Sequence, residues 1–177
     1  MNDVMIDLET WGNNQSSVVV QIGACWFDRH TGAIGETFKE HISAESEIKA
    51  GFTTDASTLY WWFDQSKEAQ ESAIGAYRDR RSSGYAWGKL NSFLLSAENI
   101  WCHASFDAAI VNYHMNTLNL RKNFKYYAFK DLRTLTELAG VDIRRYKKET
   151  SGILHDALDD CKLQVKYAVD SFNKLGV

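Results

Sequence analysis

Two acidic side chains stand one residue apart in an apolar stretch near the start of the chain. In the run MIDLETWG, residues 5–12, Asp7 and Glu9 alternate with Ile6 and Leu8. Side chains two residues apart on a β-strand point to the same face of the sheet. Because two adjacent carboxylates destabilise each other unless a positive charge neutralises them, the pair indicates either a solvated strand end or a cation site. The apolar neighbours favour an interior strand and therefore the cation site.

A third carboxylate follows a second buried strand. The run NIWCHA at 99–104 is predicted to be a short strand beside the first one, and the helix after it is predicted to begin at Ser105. Asp107 then falls in the first turn of that helix. A helix dipole favours an acid at this position without any chemistry, so Asp107 has a structural as well as a catalytic interpretation.

The run HDALDDC at 155–161 combines a histidine with three acids at the start of the last predicted helix. Acids are ordinary in a first helical turn, and a single histidine there is more often a surface or capping residue than a catalyst. At about 100° per residue, Asp160 lies beside the buried face of the helix, whereas Asp156 points furthest from the core. His155 lies five residues before Asp160 and is predicted to occupy the preceding loop.

The elements that must position these residues indicate an α/β protein. The predicted strands have period-two or continuous apolar patterns and span residues 2–8, 18–27, 36–42, 99–104 and 125–129. The predicted helices span residues 53–74, 84–97, 105–118, 131–140 and 156–173, and 144–150 is predicted to be a charged loop. An antiparallel meander followed by alternating helices and strands predicts a mixed sheet with helices on its faces.

Length and composition indicate one globular domain over residues 1–177, with 45% hydrophobic residues and a net charge of −3. No apolar segment approaches the ~18 residues that a membrane span needs, and no export leader is evident, so we expect a cytoplasmic protein without membrane association. The three cysteines show no C-x-x-C spacing and are predicted to be buried thiols. The acidic balance argues against broad nonspecific binding to duplex DNA.

Taken together, the acidic motifs resemble those of a known superfamily. DLE at 7–9, FDAAIV around Asp107 and the spacing of His155 and Asp160 look like the three motifs of the DEDD 3′→5′ exonucleases, in their histidine-containing DEDDh branch. IDLETWG, VVQIGACWFD, LYWWFDQSKEA and HDALDDC are similar to the phage-type branch that groups with RNase AS-like exoribonucleases. The resemblance covers residues 4 to about 165 and implies an RNase H-like mixed five-stranded sheet, with an antiparallel meander plus parallel strands, flanked by helices.

The resemblance also implies a two-metal mechanism. Asp7, Glu9, Asp107 and Asp160 would hold two Mg²⁺ or Mn²⁺ ions roughly 4 Å apart, with Asp7 shared between them. Glu9 and Asp160 would complete one site and Asp107 the other. His155 would act as general base for the attacking water, and nucleoside 5′-monophosphates would leave from a 3′ end. We expect the polar stretch at 147–154 to be the least ordered part of the site without substrate.

The predicted contacts to substrate are mostly aromatic residues near the motifs. The resemblance implies that Thr10, Trp11 and Phe106 line the pocket for the terminal nucleotide, although core packing explains both aromatics equally well. Trp61 and Trp62 cannot both face the same side of a helix, and Trp62 is predicted to contact substrate. The basic runs at 121–130 and 144–148 suit either a backbone-tracking groove or ordinary solvated surface.

The identity of the partner stays open between single-stranded RNA and single-stranded DNA with a 3′ end. A phage-encoded enzyme would act in the host cytoplasm, and a homodimer is compatible with the resemblance. Two alternatives remain: a catalytically silent nucleic-acid-binding or adaptor module of the same fold, and a phosphoesterase that acts on dinucleotides or free nucleotides.

Overall fold

A six-stranded mixed sheet forms the centre of the protein in a computed structural model that describes residues 1–149 and 152–177. The strands are β1 Asp3–Thr10, β2 Val19–Phe27, β3 Ile34–Ile42, β4 Arg80–Arg81, β5 Asn99–Cys102 and β6 Phe129–Asp131. They lie in the order β4-β3-β2-β1-β5-β6. The first three strands form an antiparallel meander, and each later strand pairs in parallel with its neighbour. The predicted α/β class, with its meander and parallel strands, is confirmed.

The sheet differs from the expectation at its two edges. The additional strand, β4, has two residues and pairs with the end of β3, and so short a segment has no periodic signal in the sequence. The last strand begins at Phe129, whereas it was predicted over 125–129. The reason is a turn in which Ala128 donates its N–H to the carbonyl of Lys125 at 3.0 Å.

Eight α-helices are described, and they pack on both faces of the sheet. They are α1 Ala44–Lys49, α2 Ala56–Phe63, α3 Lys67–Ile74, α4 Ser83–Phe93, α5 Asp107–Thr117, α6 Leu132–Leu138, α7 Ile143–Glu149 and α8 Ala157–Leu175. One apolar cluster joins β1, β2 and β5 to α4 and α5, and a second joins the opposite face to α6 and α8. All three cysteines are buried thiols, as predicted. Within the described ranges, no helix is long and apolar enough to cross a membrane.

Three helical predictions need correction. The single helix expected over 53–74 is two helices, because Ser66 caps α3 by accepting the N–H of Ala69 at 3.2 Å. The expected charged loop at 144–150 is largely α7, whose Ile143 and Tyr146 pack against the second apolar cluster. The helix expected from Ser105 begins at Asp107, and α1 was not predicted.

A close contact between β2 and α8 fixes the geometry of the candidate active site, which is described below. Gly23 of β2 lies opposite Asp7 in the antiparallel register of β1 and β2. A Cβ atom at Gly23 would lie 2.2 Å from the carbonyl carbon of Ala157, the first residue of α8. Gln21, fully buried two residues earlier, accepts the N–H of Ala157 through Oε1. The missing side chain therefore lets the start of α8 reach the middle of the sheet.

Candidate active site

One cavity of about 370 Å³ brings together the acidic positions that the sequence singled out. Its lining includes four carboxylates and two histidines: Asp7, Glu9, Asp107, Asp160, His155 and His103. Five of these six were predicted from the sequence, whereas His103 was not. The cavity lies where the carboxyl-terminal parts of β1 and β5 meet the beginnings of α5 and α8.

The pair on β1 is held from the strand itself. Asp7 is partly exposed to the cavity and accepts a hydrogen bond of 2.6 Å from Nε2 of Gln164. Glu9 is 7% exposed and lies opposite Gln21 of β2. As expected from the period of a strand, both carboxylates line the same cavity.

Asp107 is held by the turn between β5 and α5. It is 2% exposed, and its Oδ2 accepts the backbone N–H of His103 at 2.9 Å. The carbonyl of His103 in turn accepts the N–H of Asp107 at 2.9 Å. The next residue, Ala104, donates its N–H to Asp131 at the start of α6 at 3.0 Å. The side chain of Asp107 thus closes the turn that carries it.

His155 and Asp160 belong to one local structure at the start of α8. His155 has a φ of 64°, which is rare for a residue with a side chain. Its backbone N–H donates to Oδ2 of Asp160 at 3.1 Å. The prediction that His155 lies before the helix is confirmed. Of the stretch 147–154, residues 150 and 151 lie outside the described residues, so its expected disorder stays a prediction.

Asp156 corrects the helical projection. It was expected to point away from the core, yet it is 2% exposed and accepts hydrogen bonds from Lys39 and Ser72. Asp156 is the N-cap of α8, where its side chain accepts the N–H of Asp159 at 3.1 Å. A capping residue has a non-helical backbone, so the rotation of 100° per residue does not apply to it.

Burial and mutual repulsion raise the pKa values of carboxyl groups in the cavity. Burial raises the pKa of Asp7 well above its usual value, and the charges of the other three carboxylates raise it further. Burial likewise raises the pKa of Glu9, again with contributions from neighbouring acids. Burial raises the pKa of Asp107 to about 7, although the N–H of His103 and the guanidinium of Arg133 oppose the shift. Burial is the largest cause of each of these three shifts, because it penalises the charged form of a carboxyl group.

The donor set fits divalent cations. Candidate ligand atoms fall into two groups, Asp7 with His103 and Asp107, and Glu9 with His155 and Asp160, and within each group they lie within 4.8 Å of one another. Carboxylate oxygens are the preferred ligands of hard ions such as Mg²⁺ and Mn²⁺. The amide oxygen Oε1 of Gln164 in the same cavity is buried and has no hydrogen-bond partner among the described residues. A hydrated cation would supply the missing donor.

The predicted substrate residues occupy different environments. Phe106 lines the cavity. Thr10 is 7% exposed, and its hydroxyl donates to the carbonyl of Gly12 at 2.7 Å. Trp11 packs beside the small apolar cluster of Val18, Val20 and Phe52, in accord with its core interpretation.

The two adjacent tryptophans differ in exposure, and the contact of Trp62 with substrate stays a prediction. Trp62 is 5% exposed, and its indole N–H donates to the carbonyl of Thr10 at 2.8 Å. Trp61 is 43% exposed, and the centre of its ring lies 4.8 Å from that of His155, edge to face. The exposed aromatic beside the cavity is therefore Trp61, because the orientation of α2 turns Trp62 toward β1.

Three polar residues of the cavity escaped the sequence analysis. His103 is the residue before the last of the run at 99–104 that was predicted to be a buried strand, and Gln164 lies one helical turn after Asp160. Arg133 is an exposed residue of α6 that lines the same cavity. The i to i+4 relation of Asp160 and Gln164 was a usable signal. His103 and Arg133 have no such signal in the sequence, because only the fold brings them to the cavity.

The two basic runs do not contribute residues to the lining of this cavity among those described. Lys122 donates to Asn112 at 2.8 Å, and Lys130 donates to the carbonyl of Tyr127 at 2.8 Å. Arg144 pairs with Asp142 on the surface. A role of these runs in binding nucleic acid stays a prediction.

Comparison with known proteins also indicates an exonuclease. A family model described as the 3'-5' exoribonuclease Rv2179c-like domain matches residues 2–172. The exodeoxyribonuclease of Enterobacteria phage T4 is 28% identical over 208 aligned positions, which cover 96% of this chain and 89% of that protein.

Two solved structures illustrate the similarity of the fold. Exonuclease I of E. coli, in complex with a dA16 oligonucleotide, matches 97% of this chain with a TM-score of 0.68 at 12% identity, and the match spans 40% of that protein's length. The nuclease domain of 3'hExo, a DEDDh family member bound to rAMP, matches 94% of this chain and 89% of its own length, with a TM-score of 0.63 at 12% identity. The RNase H-like fold is confirmed.

Proposed function

This chain belongs to the Rv2179c-like family of 3'-5' exoribonuclease domains, and from that premise we propose that residues 1–177 form one domain that degrades single-stranded nucleic acid from the 3′ end. The products are nucleoside 5′-monophosphates. The observation that carries the proposal is the convergence of four carboxylates and His155 in one cavity. An exonuclease needs such a cluster because it must bind cations beside a phosphate and remove a proton from water.

The four carboxylates are the proposed ligands of two divalent cations, Mg²⁺ or Mn²⁺. Glu9 and Asp160 are assigned to one ion and Asp107 to the other, with Asp7 shared between them. The division into two sites is supported by the two groups of ligand atoms, Asp7 with Asp107 and Glu9 with Asp160, and the raised pKa values of Asp7 and Glu9 support a cation beside them. When bound, the cations polarise the scissile phosphate and assist ionisation of water.

His155 is the proposed general base. Imidazole exchanges protons near neutral pH and is the commonest side chain in this role. The backbone N–H of His155 is anchored on Asp160 at 3.1 Å, while its ring lines the cavity beside Trp61. This arrangement supports a base whose backbone is anchored and whose side chain lies at the cavity.

Aromatic side chains are the proposed contacts to the terminal base. Phe106 lines the cavity and Trp61 is exposed at its edge. Stacking on either ring would contribute about 1–3 kcal/mol without strong base preference. Thr10, Trp11 and Trp62 remain predicted substrate neighbours, and their hydrogen bonds and packing support a role in shaping the loop after Glu9.

The choice between RNA and DNA is tested by digesting matched 5′-labelled single strands in Mg²⁺ or in EDTA. We expect a ladder that shortens from the 3′ end, requires Mg²⁺ and disappears in the Asp160→Ala variant. The faster substrate identifies the preferred sugar, because the 2′-hydroxyl is what distinguishes the two strands. Digestion from the 5′ end, or equal activity of the variant, would contradict the proposal.

The proposal places the enzyme in the cytoplasm. Three buried free thiols, Cys25, Cys102 and Cys161, are in keeping with a reducing compartment. A homodimer stays a prediction, which light scattering of the purified chain would test.

A further inference from the structure

His103 is a second histidine at the carboxylate cluster, and it groups with Asp7 and Asp107, whereas His155 groups with Glu9 and Asp160. The six side chains divide into two groups, and each contains two carboxylates and one imidazole. His155 has its proposed role as base in one group. The part of His103 in the other group, with Asp7 and Asp107, is unassigned.

The backbone around His103 is fixed in a way that presents its ring to Asp107. Nδ1 of His103 lies 3.9 Å from Oδ2 of Asp107, and its side chain is 23% exposed. The same carboxylate oxygen accepts the backbone N–H of His103 at 2.9 Å. Because one residue contacts Asp107 through both backbone and ring, the imidazole is held at the cavity without a long flexible linker.

An independent feature of the same cavity indicates that a polar ligand is missing there. Gln164 is 5% exposed and donates to Asp7 through Nε2, but its Oε1 is buried and has no partner among the residues described. Buried amide oxygens are nearly always hydrogen bonded in folded proteins. Because Gln164 donates to Asp7, and Asp7 falls in the same group of candidate ligand atoms as His103 and Asp107, this oxygen supports a ligand bound beside that group.

We propose that His103 is a direct ligand of the cation held by Asp7 and Asp107, so that this site has a nitrogen donor in addition to carboxylate oxygens. The inference rests on the proposed exonuclease function and specifies the metal preference of one of its sites. Imidazole suits transition ions better than Mg²⁺, whereas carboxylates suit Mg²⁺ well. Mn²⁺ is therefore expected to bind this site more tightly than Mg²⁺. The competing explanation is that His103 only balances the charge of Asp107.

Pulsed electron paramagnetic resonance of bound Mn²⁺ distinguishes these explanations without substrate or turnover, because a coordinated imidazole adds nitrogen modulation to the Mn²⁺ signal. We expect this modulation in the wild type, in His155→Asn, where His103 is the histidine left at the cluster, and in the surface control His30→Gln. We expect its loss in the double variant His103→Gln/His155→Asn.

A binding titration gives a second readout. His103→Gln is expected to weaken Mn²⁺ binding at one site at least about tenfold, and to weaken Mg²⁺ binding by a smaller factor.

The outcomes separate the inference from the function on which it rests. If His155→Asn binds as many Mn²⁺ ions as the wild type and shows no nitrogen modulation, His103 is not a ligand, and the metal-dependent function still stands. If the wild type binds no Mn²⁺, both proposals fail together. Should His103→Gln fail to fold, the His155→Asn spectrum still decides, since it leaves His103 unchanged.

Discussion

Gln164 donates a hydrogen bond of 2.6 Å from Nε2 to Oδ1 of Asp7, and so joins the last helix to the first strand at the centre of the acidic cavity. The bond engages one oxygen of Asp7 and leaves the other available. Gln164 follows Asp160 by one helical turn of α8, so one helix supplies both a carboxylate and the residue that orients a second one.

Replacing Gln164 with Leu is expected to lower activity by about 10–100-fold, the usual effect of losing a partner that orients a metal ligand. The substitution keeps the volume of the side chain but frees the carboxylate of Asp7 to rotate. Steady-state rates at several Mg²⁺ concentrations provide the measurement, with the exposed Lys166→Leu of the same helix as control. Equal rates for Gln164→Leu and the wild type would show that Asp7 needs no such partner.

Replacing His155 with Asn is expected to reduce the rate by about 10²–10⁴-fold, which is the usual contribution of a general base. Asn tolerates the positive φ of this position better than most residues, so the fold should be retained. The two readouts are single-turnover cleavage and thermal unfolding. A variant that unfolds normally and still cleaves at the wild-type rate at neutral pH would exclude His155 as the base.

Gly23→Ala is expected to disturb the site through α8. The new Cβ would lie 2.2 Å from the backbone of Ala157, so the helix start must shift. We expect a loss of roughly 1–3 kcal/mol in the free energy of unfolding and a marked fall in activity, because Asp160 moves with the helix. Gly88→Ala is the matched control, since nothing lies within 4 Å of a Cβ there, and it should stabilise α4 by about 0.5–1 kcal/mol. Unchanged stability and activity in Gly23→Ala would contradict the close contact.

The ion pair of Lys39 and Asp156 predicts a pH-dependent stability. Burial alone would raise the pKa of Asp156, but the hydrogen bonds from Lys39 and Ser72 outweigh it and hold the pKa below its usual value. A carboxylate with a lowered folded-state pKa stabilises the protein above its unfolded pKa of about 3.9, and this contribution disappears as the pH falls through the folded value.

Asp156→Asn keeps an acceptor at the N-cap but removes the charge. Its deficit in unfolding free energy should be about 1–3 kcal/mol near pH 7 and should shrink below about pH 4. Chemical denaturation of both proteins across this range measures the difference, with the exposed Asp64→Asn as control. A deficit that does not change with pH would attribute the effect to the cap alone.

The acidic site residues and their order along the chain could be predicted from the sequence, because residue type and local spacing reveal them directly. Asp7 and Glu9 share a strand face, and the spacing of His155 and Asp160 follows from a loop joined to a helix. The strands β1 and β5 and the helices α5 and α8 that carry these residues were predictable for the same reason. Patterns of two and 3.6 residues identify strands and helices without knowledge of the fold.

What could not be predicted depends on contacts between distant segments. His103 is important only because β5 ends beside β1, and Asp156 is buried only because Lys39 and Ser72 meet it. Which of Trp61 and Trp62 is exposed depends on how α2 is oriented against β1. The helix α7 forms in a charged segment because two of its residues reach the apolar cluster under α8.

The most direct test of a catalytic cation site is Glu9→Gln, measured for activity with Mg²⁺ and for unfolding free energy in EDTA. Burial and the neighbouring acids oppose the charge of Glu9, so the neutral side chain of equal size should leave the metal-free protein as stable or more stable. Activity should nevertheless fall below detection. Retained activity, or a large loss of stability in EDTA, would instead make Glu9 a structural residue and contradict the account.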